Sequence, residues 1–368
     1  MSDSPQTVSP RDGISVVTGF PGFIGRRLVK RLLDEDGDRR VVALVEEKAL
    51  EAARASAGEL GPQRLEVLAG DITDRRLGLG DADYERLRAQ TTMLFHLAAV
   101  YDLAVPADVA QRVNVEGTGN VLELCARCER LERLVYVSTA YVSGLRTGTV
   151  YEHELTMGQG FKNHYESTKF QAEVWVRSQM DRVPTAILRP AIVVGDSGTG
   201  ETQKFDGPYY LLRTISRSVR SRLPIMRFGR ADAPFNVVPV DYIVAAIAAA
   251  AGEPAALGET LHLVDPDPLT TRELVELLAR EYANRSARAK VPPRLAELSL
   301  RVPPVRRAFG DVPPQSLRYL NHPVHYDTRR AVAVLGPHGL RPPAFPDYVA
   351  AMVEFFREHE DDPAFAPA

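Results

Sequence analysis

Two residues, Tyr165 and Lys169, have the types and the spacing for acid–base chemistry. They lie four residues apart in NHYESTKFQAEVWV (163–176), a stretch with a helical pattern, so both side chains share one helix face. A free phenol has a pKa near about 10, and an adjacent lysine ammonium favours the phenolate. The pair therefore predicts that Tyr165 exchanges a proton with a bound molecule as a general acid or base. An ordinary surface Tyr/Lys pair is the alternative.

A hydroxyl group at the end of a predicted strand supports the catalytic interpretation. The segment STAYVSG (138–144) follows the apolar run RLVYV, so its polar residues begin at the C-terminal end of a strand. Open α/β sheets bind their ligands at that end. We expect the hydroxyl of Thr139 to hold a carbonyl oxygen by a hydrogen bond.

Three glycines mark a second kind of site. Gly19, Gly22 and Gly25 lie between an apolar run and a helical run in VVTGFPGFIGRRLVKRLL (16–33). Glycines permit a sharp turn and leave no Cβ in the way, and the helix N-terminus offers free N–H groups to a pyrophosphate. The spacing differs from the commoner Gly-x-Gly-x-x-Gly, and a plain tight turn is the alternative. The strand before the turn and the helix after it favour a dinucleotide site.

The elements that must position these motifs form an alternating pattern. Apolar runs starting at 14, 41, 64, 93, 133 and 185 are separated mostly by helical stretches, notably 109–129 and 165–181. The runs are apolar throughout, which is typical of strands buried on both faces of a parallel sheet. The sequence therefore predicts an α/β fold with a Rossmann doubly wound parallel sheet.

The alternation stops after residue 195. A glycine-rich segment, two adjacent tyrosines and a basic helix follow, and later proline clusters separate short helices. We predict a smaller C-terminal substrate lobe beside the Rossmann core. The predicted division is a disordered lead-in at 1–12, a Rossmann core over 13–195 with 235–265 returning to it, and a substrate-binding lobe from 196–234 and 266–368.

Composition argues against several classes of partner. With a net charge of -3, the sequence lacks the excess of basic residues that is typical of nucleic-acid-binding proteins. The longest apolar run, starting at Ile243, is about half the ~20 residues of a membrane span. The two cysteines, Cys125 and Cys128, lie in a helical pattern and lack a second pair to complete a metal site. We interpret them as buried helix cysteines of a cytoplasmic protein, and we predict no metal.

Together the motifs resemble the extended short-chain dehydrogenase/reductase family. The resemblance covers most of the first 200 residues, in the family's order. It rests on TGFPGFIG (18–25), GDITD (70–74), HLAA (96–99), NVEGTGNVLE (114–123), STAYVSG (138–144), YESTK (165–169) and LRPAIVVGD (188–196). It implies a Rossmann core with a smaller substrate lobe, and NAD(P) as the cofactor.

The resemblance also implies a role for individual residues. Tyr165 and Lys169 are the implied catalytic pair, Thr139 aligns with the catalytic Ser/Thr, and Ser138 beside it is an auxiliary candidate. The resemblance also implies residues that contact the cofactor, both at the glycine turn and near the adenine, the ribose and the nicotinamide. The implied cofactor-binding residues are Gly19, Gly22, Phe23, Ile24, Gly25, Glu46, Asp71, Ile72, Ala98, Ala99, Tyr165, Lys169, Pro190 and Ile192.

Within the family, one loop is similar to that of the thioester-reductase and fatty acyl-CoA reductase branch. This loop is GDSGTGETQKFDGPYY (195–210), and it implies reduction of an acyl thioester or of an aldehyde or ketone carbonyl. The substrate is then a small molecule, which includes an acyl-CoA or a carrier-protein thioester. The Tyr/Leu run at 209–212 suits a mobile lid on an apolar channel, or else core between lobes.

Three other functions stay open at this point. A nucleotide-sugar epimerase or dehydratase and a hydroxysteroid- or flavonol-type ketone reductase use the same motifs. A non-catalytic NAD(P)-binding Rossmann protein belongs to a different class. Such proteins typically lose the catalytic Tyr or Lys, so the presence of Thr139, Tyr165 and Lys169 favours an enzyme.

The end of the second predicted strand decides between NAD and NADP. An acidic residue there accepts hydrogen bonds from a free ribose 2′-hydroxyl, whereas a basic one pairs with a 2′-phosphate. Many thioester reductases resemble this stretch but carry Arg where this chain has Glu46. Glu46 and Glu47 favour NAD. Against this, the thioester-reductase branch mostly uses NADP, and Lys48 with Arg26 could pair with its 2′-phosphate.

Overall fold

The computed structural model describes residues 13–101, 105–227, 231–290 and 314–365. Its strands are β1 (Ile14–Thr18), β2 (Arg40–Val45), β3 (Leu65–Ala69), β4 (Thr91–His96), β5 (Arg133–Val137), β6 (Gly148–Val150), β7 (Thr185–Pro190), β8 (Ile192–Val194), β9 (Met226–Arg227), β10 (Val237–Pro239), β11 (Thr260–Leu263), β12 (Ala289–Lys290) and β13 (Val324–Tyr326). The predicted lead-in at 1–12 lies outside the described residues.

The helices of the described ranges follow most of these strands. They are α1 (Phe23–Glu35), α2 (Leu50–Leu60), α3 (Asp81–Gln90), α4 (Ala107–Ala110), α5 (Gly117–Arg127), α6 (His164–Ser178), α7 (Tyr209–Arg220), α8 (Val240–Gly252), α9 (Thr271–Ala283), α10 (Arg329–Leu335) and α11 (Phe345–His359). A π-helical turn at Gln111–Glu116 joins α4 to α5. Within these ranges, none of the helices is both long and apolar enough to cross a bilayer.

Seven strands form one parallel sheet in the order β11-β7-β5-β4-β1-β2-β3. The order runs outward in both directions from the boundary between β1 and β4, which makes that boundary the topological switch point of a doubly wound sheet. All seven strands end at the same edge because they are parallel. The predicted α/β Rossmann class is confirmed, and the ligand-binding edge is the one where β1, β4 and β5 end.

Alternation along the strands distributes apolar side chains to both faces of the sheet. Val17 and Phe95 belong to one buried cluster with α1 and α8, whereas their neighbours Val16 and Leu94 belong to another with α3, α5 and α6. Successive strand side chains point to opposite faces, so an all-apolar strand needs helices on both. The sheet is therefore covered on both sides and rigid enough to position groups at its edge.

A third apolar cluster lies beyond the sheet and is built by α7, α9 and α11. Tyr209, Leu211 and Leu212 are buried in it, with Tyr209 packed against Phe205 and Phe356. The Tyr/Leu run is therefore core rather than a lid, because α7 presents these side chains to α9 and α11 instead of solvent.

The C-terminal part of the chain also contacts the sheet region. Strand β13 pairs with β6, and α10 packs against β11, so Val324 and Leu335 belong to the same cluster as α1. The buried carboxylate of Glu152 accepts backbone N–H groups from His262 and from the first turn of α10. The division of the chain into a Rossmann core and a substrate lobe stays a prediction.

Candidate active site

The glycine turn connects β1 to α1 in a conformation that excludes side chains. Gly19 has a φ of +89°, which residues with a Cβ rarely adopt. A Cβ at Gly22 or Gly25 would lie 2.9 or 2.4 Å from the carbonyl oxygen of Gly19. Helix α1 then begins at Phe23 with no side-chain cap and no acidic residue in its first turn. The first backbone N–H groups of α1 therefore have no side-chain partner, and together with the positive end of the helix dipole they fit a pyrophosphate.

The other residues predicted to bind a dinucleotide follow the strands on this side of the sheet. Glu46 comes directly after β2 and binds Lys48 at 2.5 Å, while Ala98 follows β4 and donates its N–H to Thr18 Oγ1 at 3.2 Å. Asp71 lies just after β3, where its Oδ1 accepts the N–H of Thr73 at 2.8 Å. The remaining residues have comparable places: Ile24 follows Phe23 in α1, Ile72 is buried beside Gly117, Ala99 follows Ala98, Pro190 ends β7, and Ile192 begins β8. These residues lie at or near the C-terminal ends of the strands or in the adjoining elements, and their contact with a dinucleotide stays a prediction.

Tyr165 lies in the first turn of α6, beside Thr139. The side chain of Asn163 caps this helix by accepting the N–H of Glu166 at 3.0 Å, which fixes the position of the first turn. Burial raises the pKa of Tyr165 to about 12, and a hydrogen bond with Thr139 partly opposes that rise. Thr139 itself begins a short turn after β5. Tyr165 is therefore a protonated phenol at neutral pH, which suits a proton donor.

Lys169 lies one helical turn further along α6 and is buried. Its Nζ donates to the carbonyl oxygen of Val137 at 2.9 Å and lies 4.5 Å from the ring centroid of Tyr136. Burial lowers the pKa of Lys169 to about 7, while the charge of Glu173 opposes that fall. The sequence predicted that a Lys169 cation would lower the pKa of Tyr165. In this structure the burial of the phenol outweighs any nearby charge, and the effect of Lys169 together with a bound nicotinamide ring stays a prediction.

Ser138 belongs to a different network from its neighbour Thr139. Its hydroxyl donates to Glu173 Oε2 at 2.6 Å, and Glu173 in turn accepts from Arg189 at 2.6 to 3.2 Å. Although burial opposes its ionisation, the guanidinium of Arg189 holds the pKa of Glu173 below its usual range. Sequence reasoning missed Glu173. The signal was available, since Tyr165, Lys169 and Glu173 repeat at intervals of four along α6.

Asn114 is a second residue to which the sequence assigned no role. It lies in the π-helical turn, where π-helical geometry often marks a functional site. Its Oδ1 accepts the N–H of Val100 at 2.8 Å, and its Nδ2 donates to Val100 O at 3.1 Å and to Thr168 Oγ1 at 3.0 Å. Asn114 therefore joins the loop after β4 to the catalytic helix α6.

The cysteines take no part in this site. Cys125 is buried in α5, Cys128 directly follows that helix, and both are free thiols. Burial raises the pKa of Cys128 to about 11 and that of Cys125 well above its usual value. Both side chains are therefore protonated thiols at neutral pH. The sequence predicted two buried helix cysteines, and Cys125 is one, whereas Cys128 is half-buried and follows the helix. Across the described ranges, no group of His, Cys, Asp and Glu side chains could hold a metal ion.

A glycine turn at the switch point of a parallel sheet, with Thr139, Tyr165 and Lys169 beside it, defines an NAD(P)-binding oxidoreductase of the short-chain type. The family model described as male sterility protein, an NAD-binding family, matches residues 17–247. The chain belongs to this family, and the extended short-chain resemblance seen in the sequence is confirmed.

The chain is similar to a terminal R domain, to a fatty acyl-CoA reductase and to nonribosomal peptide synthetases. A crystal structure of the terminal R domain from the myxalamid PKS-NRPS biosynthetic pathway is 25% identical with a TM-score of 0.80, covering 97% of this chain and 93% of that one. Fatty acyl-CoA reductase 1 of Arabidopsis thaliana is 23% identical over 73% of this chain and 70% of its own length. Nonribosomal peptide synthetase asaC of Aspergillus flavus is 27% identical over 72% of this chain. This chain spans between 26% and 35% of the length of that synthetase and two similar ones.

Proposed function

We propose that the protein reduces the carbonyl group of an acyl thioester or an aldehyde, with NADH as the electron donor. One observation carries the proposal: the hydroxyls of Thr139 and Tyr165 meet at the strand ends beside the glycine turn, with the lysine of the same motif one turn away. One relative that matches over 70% of its own length is a fatty acyl-CoA reductase, which supports the substrate class.

The side chains divide the chemistry of reduction between them. The reduced nicotinamide supplies a hydride to the carbonyl carbon. Thr139 and Tyr165 hydrogen-bond to the oxygen on which negative charge develops, and Tyr165 gives that oxygen its proton. With a thioester, the hydroxyl of the resulting hemithioacetal gives up its proton to the sulfur as the carbon–sulfur bond breaks, so the thiol leaves and an aldehyde remains. With an aldehyde, the product is the alcohol.

The pKa values of the pair match this direction of reaction. A phenol whose pKa is raised to about 12 is fully protonated before the step, so every molecule of enzyme carries the proton. Lys169, with a pKa lowered to about 7, provides positive charge toward the phenolate that is left.

Replacing Tyr165 by Phe tests the assignment. The variant keeps the ring and loses only the hydroxyl, so we expect kcat to fall by at least ~100-fold, the scale of losing a general acid. NADH should still bind, as measured by calorimetry. Near-normal turnover in Tyr165→Phe would refute the role of the phenol.

The substrate class has its own test. We propose an acyl thioester, or its aldehyde, with an apolar tail, and NADH oxidation at 340 nm can be followed with acyl-CoAs, aldehydes and UDP-sugars. Conversion of a UDP-sugar in the absence of any response to acyl-CoAs or aldehydes would favour the epimerase or dehydratase alternative. Tight dinucleotide binding with no conversion of any substrate would favour a non-catalytic protein.

The preference for NADH rests on the surroundings of Glu46. Both cations that could have bound a 2′-phosphate have carboxylate partners: Lys48 binds Glu46 at 2.5 Å, and Arg26 binds Glu59 at 2.6 Å. Each carboxylate 4 Å from a phosphate charge costs about 1 kcal/mol even in water. A free ribose hydroxyl instead donates to a carboxylate.

The test compares two variants with the same change of charge. Glu46→Arg should shift kcat/KM toward NADPH, whereas Glu47→Arg, at the exposed neighbouring position, should not. A wild type that prefers NADPH by tenfold, about 1.4 kcal/mol, would overturn the assignment. Equal shifts in the two variants would show that Glu46 does not face the ribose.

Two free thiols are typical of a reducing compartment, so we also place the protein in the cytoplasm.

A further inference from the structure

A continuous line of buried hydrogen bonds leads from the glycine turn to the catalytic helix. It begins at Thr18, the last residue of β1, whose Oγ1 lies 2.7 Å from His96 Nδ1. His96 Nε2 lies 3.0 Å from Thr118 Oγ1, which donates to the carbonyl oxygen of Asn114 at 2.7 Å. The side chain of Asn114 then donates to Thr168 Oγ1 at 3.0 Å. We name these residues, Thr18, His96, Thr118, Asn114 and Thr168, the His96 chain.

The hydrogens of the chain can be assigned from its own partners. Thr18 Oγ1 already accepts the N–H groups of Leu97 and Ala98, both at 3.2 Å, so its hydroxyl proton points to His96 Nδ1. A ring nitrogen that accepts leaves the proton on the other, so His96 Nε2 donates to Thr118. Every bond then has one donor and one acceptor, and the imidazole is neutral.

Burial makes this assignment stable against pH. All five members of the chain are less than 5% exposed. Burial, with a smaller contribution from the Lys169 charge, lowers the pKa of His96 to about 3. The imidazole therefore keeps one tautomer across the pH range in which an enzyme works, and it cannot serve as the proton donor.

The two ends of the chain lie at the two halves of the site. Thr18 directly precedes Gly19, and the N–H groups that it accepts belong to the loop predicted to line the dinucleotide. Thr168 lies between Tyr165 and Lys169 on α6 and donates to His164 O at 2.8 Å. A second connection runs from Thr18 Oγ1 through Ala98 N–H and along the loop to Val100, whose N–H Asn114 Oδ1 accepts.

We propose that His96 is a positioning residue that fixes the glycine turn against the catalytic helix, so that a bound dinucleotide and Tyr165 are held at one distance. The proposal rests on the proposed function for its kinetic consequence, but the mechanical coupling is independent of turnover. Misplacement of reacting groups by about 1 Å can cost on the order of 100-fold in rate, so breaking one bond of the chain has a measurable effect.

Thr118→Val breaks the chain while keeping the side-chain shape. We expect kcat to fall at least about 10-fold with the Kd for NADH within about threefold of wild type, and Thr118→Ser, which keeps the hydroxyl, to recover most of the loss. The matched control is Thr185→Val, which removes another buried hydroxyl, donated to Val183 O at 2.8 Å, at the opposite end of β7. The control should lower the melting temperature and leave kcat alone.

A second readout needs no catalysis. ADP ends at the diphosphate and lacks both the second ribose and the nicotinamide, so it can reach the glycine turn without contacting Tyr165 or Lys169 directly. We expect ADP to slow amide hydrogen exchange at 163–170 in the wild type and in Thr118→Ser, and to lose that effect in Thr118→Val. If Thr118→Val does not fold, His96→Asn tests the same bond, because the shorter amide reaches Thr18 but not Thr118.

The outcomes separate the two levels of inference. Equal protection of 163–170 by ADP in wild type and Thr118→Val, or an equal loss of kcat in Thr185→Val, would overturn the positioning role. A wild type that reduces no carbonyl substrate, yet shows the coupled protection, would overturn the proposed function and support the His96 chain.

Discussion

Ser138 and Thr139 are adjacent hydroxyl residues that the sequence assigned to the same catalytic site, and their side chains should respond differently to removal. Ser138→Ala deletes the donor to Glu173 Oε2, a charged bond of 2.6 Å in a fully buried network. A hydrogen bond to a charged group contributes about 1.5–3 kcal/mol to stability. Because the same oxygen keeps Arg189 Nε at 3.0 Å, we expect a cost near the lower end, about 1.5 kcal/mol.

Thr139→Ala should show the reverse pattern. Its hydroxyl faces Tyr165 and the proposed carbonyl oxygen, and losing one such donor costs about 100- to 1000-fold in kcat. The assay is urea unfolding of both variants, followed by kcat per folded enzyme with an acyl-CoA or aldehyde. We expect Ser138→Ala to keep kcat within about threefold of wild type. A loss of 100-fold or more in Ser138→Ala, at unchanged stability, would refute the separation of the two networks.

Two further predictions concern the glycine turn and the ion pair. Gly25→Ala places a Cβ at 2.4 Å from Gly19 O, so we expect the affinity for NADH to be lost. Gly58→Ala, in open space on α2, should instead stabilise the protein by up to about 1 kcal/mol. Equal effects of the two substitutions would contradict this prediction. Glu173→Gln should cost about 3–5 kcal/mol at pH 7 because Arg189 loses its buried partner. The pKa of Glu173 is lowered from 4.5, so its ionised form stabilises the fold above that pH. The difference in unfolding free energy between wild type and Glu173→Gln should therefore shrink when unfolding is measured below pH 4.5. A constant difference would show that the charge is not responsible.

The fold could be predicted because its signals are local. Each strand of the sheet is a short apolar run of its own, and alternate residues such as Val16 and Val17 contact helices on opposite faces. The glycine turn and the Tyr165–Lys169 spacing are likewise contained within one turn or one helix. The contacts of the C-terminal part were missed, since β13 and β6 have three residues each and pair across a separation of more than 170 residues.

The hydrogen-bond partners of the site residues could not be predicted from the sequence either, because they are far apart along the chain. Ser138 and Glu173 are separated by 35 residues, and His96 and Thr18 by 78, so no spacing rule connects them. The direction of the pKa of Tyr165 also depends on burial, which is a property of the packed molecule. Residue type indicated that chemistry takes place here, while tertiary contacts decide which hydroxyl takes part in it.

One face of α6 shows how depth assigns these roles. Tyr165, Lys169 and Glu173 follow one another at successive turns, and the first is partly exposed, whereas the other two are buried. Exposure lets Tyr165 reach a ligand, and the low polarity around it keeps its proton in place until charge develops on the substrate. Lys169 is buried on Val137 O, and this burial lowers its pKa. Glu173 stays ionised although it is buried, because Arg189 and Ser138 surround it, so we expect it to anchor the helix instead of reacting. The same four-residue spacing thus presents a phenol, a cation and an anion, and both burial and local partners set their different roles.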